Sequence, residues 1–152
     1  MQRRRVLIYV LGGICGWLLL FAWNQTSIKK FHLETMRQGL LHHARLVQVQ
    51  FDLNPSAVSA IGEVIPYRIE VIGPQGQVVA DSLFSNEDFE RTENQLDSKE
   101  IQEASREGAG TDLRYYSVTD GWFLYVAVPV STGGFIRLSK PVSGPDPLPD
   151  FE

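Results

Sequence analysis

Four residues near the C-terminal end combine charge with aromatic surface: Arg114, Tyr116, Tyr125 and Arg137. An arginine presents a planar fork of donors that can grip a carboxylate or phosphate at two points. A tyrosine supplies an apolar ring with a polar tip. Together they are the candidate ligand-binding residues, and the chemistry they suggest is recognition of a small anion. Solvent-facing arginines and core tyrosines with a wet hydroxyl are the plainer alternative. Catalytic arrangements are scarce. His32, His42 and His43 all precede the predicted sheet, and adjacent His42 and His43 point about 100° apart, so they cannot share a metal ion as an i, i+4 pair would. A solvated helix face is expected for all three. The only cysteine, Cys15, lies in an apolar stretch. The rest of the chain therefore has no disulfide and no thiolate metal site. No cofactor, no metal and no enzymatic activity are expected, because a binding function needs only a pocket and a few directed polar groups.

The elements that must position these residues begin with a long apolar segment. Val6–Trp23 is eighteen uncharged residues preceded by Arg3-Arg4-Arg5. At about 1.5 Å of rise per residue it is long enough for a transmembrane helix. The arginines place residues 1–5 in the cytoplasm and the bulk of the chain outside, as a single-pass membrane protein. A cleavable signal would have a shorter apolar core and a small-x-small site. Phe21-Ala22-Trp23-Asn24-Gln25 offers none, and Gly12-Gly13-Ile14 before Cys15 fits a lipoprotein site poorly. Gly12 and Gly16 share one helix face and are the candidate dimerisation contact.

Three of the 14 Lys and Arg precede the span. That leaves 11 against 18 Asp and Glu, a formal charge of −7 outside it. Such a balance argues against a nucleic-acid partner. Residues 24–53 continue as a helical stalk, with Leu33, Met36, Leu40, Ala44, Val47 and Phe51 at spacings of three and four. Residues 54–142 form the outer domain. Asn54-Pro55 opens a short helix ending near Gly62. Tyr67–Ile72 and Gln77–Ala80 form a hairpin around Gly73-Pro74-Gln75-Gly76. Residues 83–97 read as a polar loop. A helix follows, with Asp97 as cap, Glu100 reaching back to it, Ile101 and Ala104 facing inward, and a stop at Arg106–Gly108. Strands over 111–117, 122–130 and 135–139 complete a meander, with Asp120-Gly121 as a tight turn. The fold class is α+β, a five-stranded antiparallel sheet with helices on one face.

These pieces, in this order, resemble the extracytoplasmic PAS-like sensor domain of bacterial sensor histidine kinases of the phosphate-regulon type. The resemblance covers residues 67–139. It rests on Ile69-Glu70-Val71-Ile72-Gly73-Pro74-Gln75-Gly76-Gln77-Val78-Val79-Ala80-Asp81-Ser82, on the frame Glu93-Asn94-Gln95 to Ala104, and on the closing strands at Arg114–Ser117, Leu124–Val130 and Gly134–Ser139. Gln95 and Ser98-Lys99 depart from the histidine and Arg-Pro usual there. The resemblance implies an input module of a two-component system. Such a module would be homodimeric through its transmembrane and stalk helices, binding a small anionic ligand or an extracytoplasmic protein partner and signalling by helix rearrangement. Residues 143–152 form a Pro-rich acidic tail where the family has a second span, and no phosphoacceptor or ATP motif is present. Two alternatives stand beside this reading. A pilin-like assembly subunit would need an acidic residue inside the apolar helix, yet Glu34 is the first acid in the chain. A truncated kinase remnant would have no role of its own.

Overall fold

The structure, a computed structural model, describes residues 2–83, 94–116 and 120–142. Within helices, the side chains of residues 2–12, 19, 22, 24–29 and 59 lie outside the description. The loop expected at 83–97 falls mostly on residues 84–93, and the tail at 143–152, so both lie outside the described residues. The chain divides into two compact units, Met1–Met36 and Arg37–Glu152. Helix α1 is assigned over Gln2–Leu53.

In the first unit most of the described apolar side chains, including Trp17, Phe21 and Trp23, are exposed, while Leu33 is buried. The Trp17 and Phe21 rings, one helical turn apart, stack at 5.6 Å. Among the described residues, no helix is long and apolar enough to cross a membrane. The span expected over 6–23 includes residues 6–12, 19 and 22, whose side chains are outside the description. A side chain at Gly16 would meet nothing within 4 Å; Gly12 lies among the undescribed positions.

In the second unit α1 is followed by α2 (Ala57–Gly62), β1 (Arg68–Ile72), β2 (Val78–Asp81), a 3-10 turn (Gln95–Asp97), α3 (Lys99–Glu107), β3 (Gly110–Tyr116), β4 (Gly121–Pro129) and β5 (Phe135–Val142). The strands form one five-stranded sheet in the order β2-β1-β5-β4-β3, and the four pairings are all antiparallel. The fold is α+β, as expected. The last strand β5 sits in the centre, between β1 and β4, so its side chains are enclosed on both flanks.

The helices occupy both faces of the sheet, which corrects the expectation of helices on one face. On one face, α3 packs Ile101 and Ala104 against Ile72, Ala127 and Phe135. On the other, Ile69, Val71, Leu124, Val126, Val128, Ile136 and Leu138 are all buried. Their cover is the end of α1 with α2, whose Leu40, Ala44, Val47 and Val58 are buried in turn. The His43 ring meets Tyr67 at 5.2 Å on this side. Gln48 Nε2 donates to Pro129 O at 2.6 Å, and Asp52 Oδ1 accepts from Ser131 N and Oγ at 3.0 and 2.8 Å. The end of α1 is thus tied to the β4–β5 turn. A sheet covered twice explains why β4 reads as a nearly continuous apolar run rather than as an alternating pattern.

Local signals mostly held. Gly76 N–H bonds Gly73 O at 2.9 Å with Gly76 at φ 84°, as its turn requires. Gly108 caps α3 at φ 78°. Three differ. Asn54 Oδ1 accepts from Ser56, but α2 starts only at Ala57. Tyr116 pairs with Gly121, so Gly121 is a strand residue and not part of a tight turn with Asp120. Ser98, not Asp97, is the N-cap of α3, and Glu100 does not reach back to it.

Candidate functional site

Antiparallel register decides which charged residues meet. Glu70 lies opposite Arg137, and Arg137 opposite Ala127; Asp112 lies opposite Tyr125 and Arg114 opposite Phe123. With side chains alternating along each strand, Arg68, Glu70, Asp112, Arg114, Tyr116, Phe123, Tyr125 and Arg137 all share the face on which α3 packs. α3 adds Glu100 from its first turn.

Arg137 is 4 % exposed and lies at the centre. Its guanidinium forks onto Glu70, with Nε to Oε2 at 2.8 Å and Nη2 to Oε1 at 2.9 Å. Its Nη1 reaches Glu100 Oε1 at 3.0 Å and Gln95 Oε1 at 2.7 Å. Glu70 is shared with Arg68 at 3.2 Å, and Arg68 Nη2 continues to Asp81 Oδ2 at 2.6 Å. Glu100 Oε1 is shared with Arg114 Nη2 at 2.7 Å, and Arg114 Nε continues to Asp112 at 2.9 Å. One chain of charge thus crosses the sheet from β2 to β3 and holds α3 by a single carboxylate. Tyr125 lies beneath its middle: the Arg114 Cζ sits 4.2 Å, and the Arg137 Cζ 5.4 Å, from the ring centroid.

The balance of charge shapes these groups. Burial works to lower the pKa of Arg137, but hydrogen bonds and charge from Glu70 and Glu100 outweigh it and raise the pKa overall. Arg68 is raised in the same way: burial opposes, and Asp81 and Glu70 prevail. Burial pushes Asp112 above the ordinary carboxylate value; Arg114 pulls it back in part, and the negative charge of Glu100 adds to the rise. Burial likewise raises Tyr125 against the two arginines. Glu100 is fully buried, and its Oε2 has no hydrogen-bond partner among the described residues.

Three of the four candidate ligand residues are therefore brought together: Arg114, Tyr125 and Arg137. Tyr116 shares their face but lies at the open end, 51 % exposed, with its ring 6.4 Å from Phe123. The two arginines are not free forks awaiting an anion, and neither are they simple solvent-facing strand residues. Each is already held by two carboxylates. His42 and His32 are exposed as expected. His43 differs from expectation: it is half-buried, with Nδ1 on Gly39 O at 2.7 Å.

Sequence reasoning missed Glu70, Glu100, Arg68, Asp81 and Asp112. A signal existed for Glu70. Glu70 and Arg137 each sit between apolar residues in strands that must be central, and a charge there needs a buried partner. Glu100 carried the opposite signal, since its spacing from Asp97 imitates a capping box. Among the described residues, no group of His, Cys, Asp and Glu could hold a metal ion. A separate open groove of about 410 Å³ runs along α3, lined by Leu96, Ile101, Gln102, Ser105, Arg106 and Phe135; it does not include the charged residues. No protein-family model matches the chain, and no curated protein matches it.

Proposed function

We propose that the chain is a membrane-anchored, extracytoplasmic input module of the sensor histidine kinase type, PAS-like in fold. Val6–Trp23 serves as its anchor, and two copies associate through the anchor and stalk helices. A stimulus acts on the charged face around Arg114, Tyr125 and Arg137 and is passed to α1. The observation that carries this reading is the direct tie between the end of α1 and the β4–β5 turn, through Gln48 and Asp52. A stimulus can drive a helix only if it interacts differently with two arrangements of it, and these bonds couple strand and helix positions. The five-stranded antiparallel sheet with a helix between β2 and β3 is consistent with the PAS-like class, and the motif order of residues 67–139 supports it further.

The test places residues 1–142 ahead of the second span and catalytic portion of a phosphate-regulon-type kinase. Autophosphorylation is read while phosphate, small carboxylates, divalent salts and external pH are varied. An output that changes with one of these, and ceases to change in Arg114→Ala, supports the reading. An output indifferent to every condition refutes it.

A further inference from the structure

The five-stranded sheet has two edge strands, β2 and β3. β2 is four residues long, and its pairing with β1 shifts register between Val71 and Ile72. A short, irregular edge is a poor template for another strand. β3 is seven residues long and pairs with β4 without a shift from Gly110 to Tyr116. It is the edge suited to accept a further strand.

One contact shows which of its backbone groups are open. In an antiparallel ladder the N–H and C=O of a residue point to the same neighbour, and successive residues point to opposite sides. Thr111 N–H donates to Glu103 Oε2 at 2.9 Å, so Thr111 points away from β4. Leu113 and Tyr115 share that direction. Among the described residues their N–H and C=O groups have no hydrogen-bond partner on that side. Glu103 thus plugs the Gly110 end of the edge and leaves the Leu113–Tyr115 part open.

Charge gives this part a preference. Asp112 and Arg114 flank Leu113 on the α3 face, with side chains 15 % and 39 % exposed. Arg114 places Nε on Asp112 and Nη2 on Glu100, and its Nη1 donates to nothing among the described residues. A strand added antiparallel, with its central residue opposite Leu113, bonds the open backbone groups. Its two flanking residues meet Arg114 and Asp112 in non-hydrogen-bonded pairs, where facing side chains come closest. The antiparallel direction sets the order of charge. The residue before the centre faces Arg114 and must be acidic; the residue after it faces Asp112 and must be basic.

We infer that the Leu113–Tyr115 edge of β3 is a docking surface for an extended segment of another extracytoplasmic protein, one that reads acid-x-base. β3 has that order itself, as Asp112-Leu113-Arg114, so a second copy of the chain is the competing occupant. Direction decides between them. α1 passes Tyr67, at the start of β1, and then Pro129 and Ser131 at the β4–β5 turn, so it runs along the strands. Antiparallel pairing of two β3 strands turns one copy end for end and puts the two Arg37 entry points at opposite ends of the joined sheet. Two copies anchored in one bilayer need them at the same end. The choice of a foreign strand therefore rests on the anchored reading above, whereas the open edge and its order of charge do not.

The experiment adds two peptides to the isotope-labelled full chain in phospholipid nanodiscs: acetyl-Thr-Thr-Asp-Val-Arg-Thr-Thr-amide and its charge-swapped form, acetyl-Thr-Thr-Arg-Val-Asp-Thr-Thr-amide. NMR follows the Leu113 and Tyr115 amides, and hydrogen exchange follows their protection. The acid-first peptide should shift and protect both amides with a Kd about tenfold below that of the swapped form. N-methylation of its central Val should abolish binding. N-methylation of its Arg, whose N–H points away from β3, should leave the Kd within about threefold. Equal affinity for the two peptides overturns the assigned order of charge. No shift at Leu113 and Tyr115 up to about 1 mM peptide overturns the docking surface. Protection of Leu113 that grows with chain concentration before any peptide is added overturns the choice of a foreign strand in favour of a second copy. A full chain that binds the acid-first peptide while the kinase chimera ignores every condition upholds this inference and refutes the sensor reading alone.

Discussion

Replacing Arg137 by methionine tests whether the charge network organises the sheet. The substitution keeps most of the apolar stem and removes four hydrogen bonds, two to Glu70 and one each to Glu100 and Gln95. Breaking one partner out of a buried ion pair costs about 3–5 kcal/mol, because a charge is left behind without compensation. Here Glu70 retains Arg68 at 3.2 Å and Glu100 retains Arg114 at 2.7 Å, which places the loss near the lower end, about 3 kcal/mol. Urea unfolding of the full chain in detergent, followed by tryptophan fluorescence, reads it directly. With a slope of about 1–3 kcal/mol/M, the midpoint should fall by roughly 1–3 M. The double change Arg137→Met with Glu70→Leu removes the stranded charge with its partner and should recover most of the loss. A single variant within about 0.5 kcal/mol of the parent would refute this account, since that is the range of surface changes. So would a double variant less stable than the single one.

Other outcomes follow from particular contacts. A Cβ at Gly110 would lie 1.9 Å from Glu100 O and 2.7 Å from Ala104 N; Gly110→Ala should therefore force β3 and α3 apart and cost about 1–3 kcal/mol or more in urea unfolding. Gly108→Ala, at φ 78°, should cost about 1 kcal/mol by the same assay, since an L side chain is strained there. Gln48→Ala should lose about 1 kcal/mol with the Pro129 contact, and hydrogen exchange should quicken in the β4–β5 turn before it does in β1. Asp112 gives a pH dependence of known sign. Its native pKa lies above its unfolded one, so its ionisation detracts from stability at high pH, and that loss is regained as pH falls through the native pKa toward 3.8. The melting temperature of the parent minus that of Asp112→Asn should accordingly rise on acidification; a falling difference would contradict the placement of Asp112.

Punctuation residues made the outer domain readable from its sequence. Gly73-Pro74-Gln75-Gly76 and Gly108 each suit a backbone state that few residues tolerate, so they located the first hairpin turn and the end of α3 almost to the residue. Strand alternation was legible where one flank was wet, as at the exposed end of β3, and misleading in β1 and β5, where both faces are covered. Glu70, a charged residue between apolar neighbours, is enclosed there. The distribution of helices over both faces had no local signal, because an apolar stripe says that a helix docks on the sheet but not on which face. Arg114, Tyr125 and Arg137 were picked out by type, but their partners were not. Which acid meets which arginine depends on the β1–β5 pairing and on the depth at which α3 docks, both set by contacts far apart in sequence.

The tie between Asp52 and Ser131 has a mechanical corollary. Ser131 stands four residues before Phe135, the first residue of the middle strand, and Arg137 is two residues further on. A twist or piston stroke of the helix end therefore enters the sheet at its central strand, not at a free margin. Traffic in either direction must pass through a turn that holds Gly133 at φ 90°, so the length and rigidity of that turn set the gearing between helix and strand. Lengthening it by a single glycine would leave both ends folded while uncoupling one from the other.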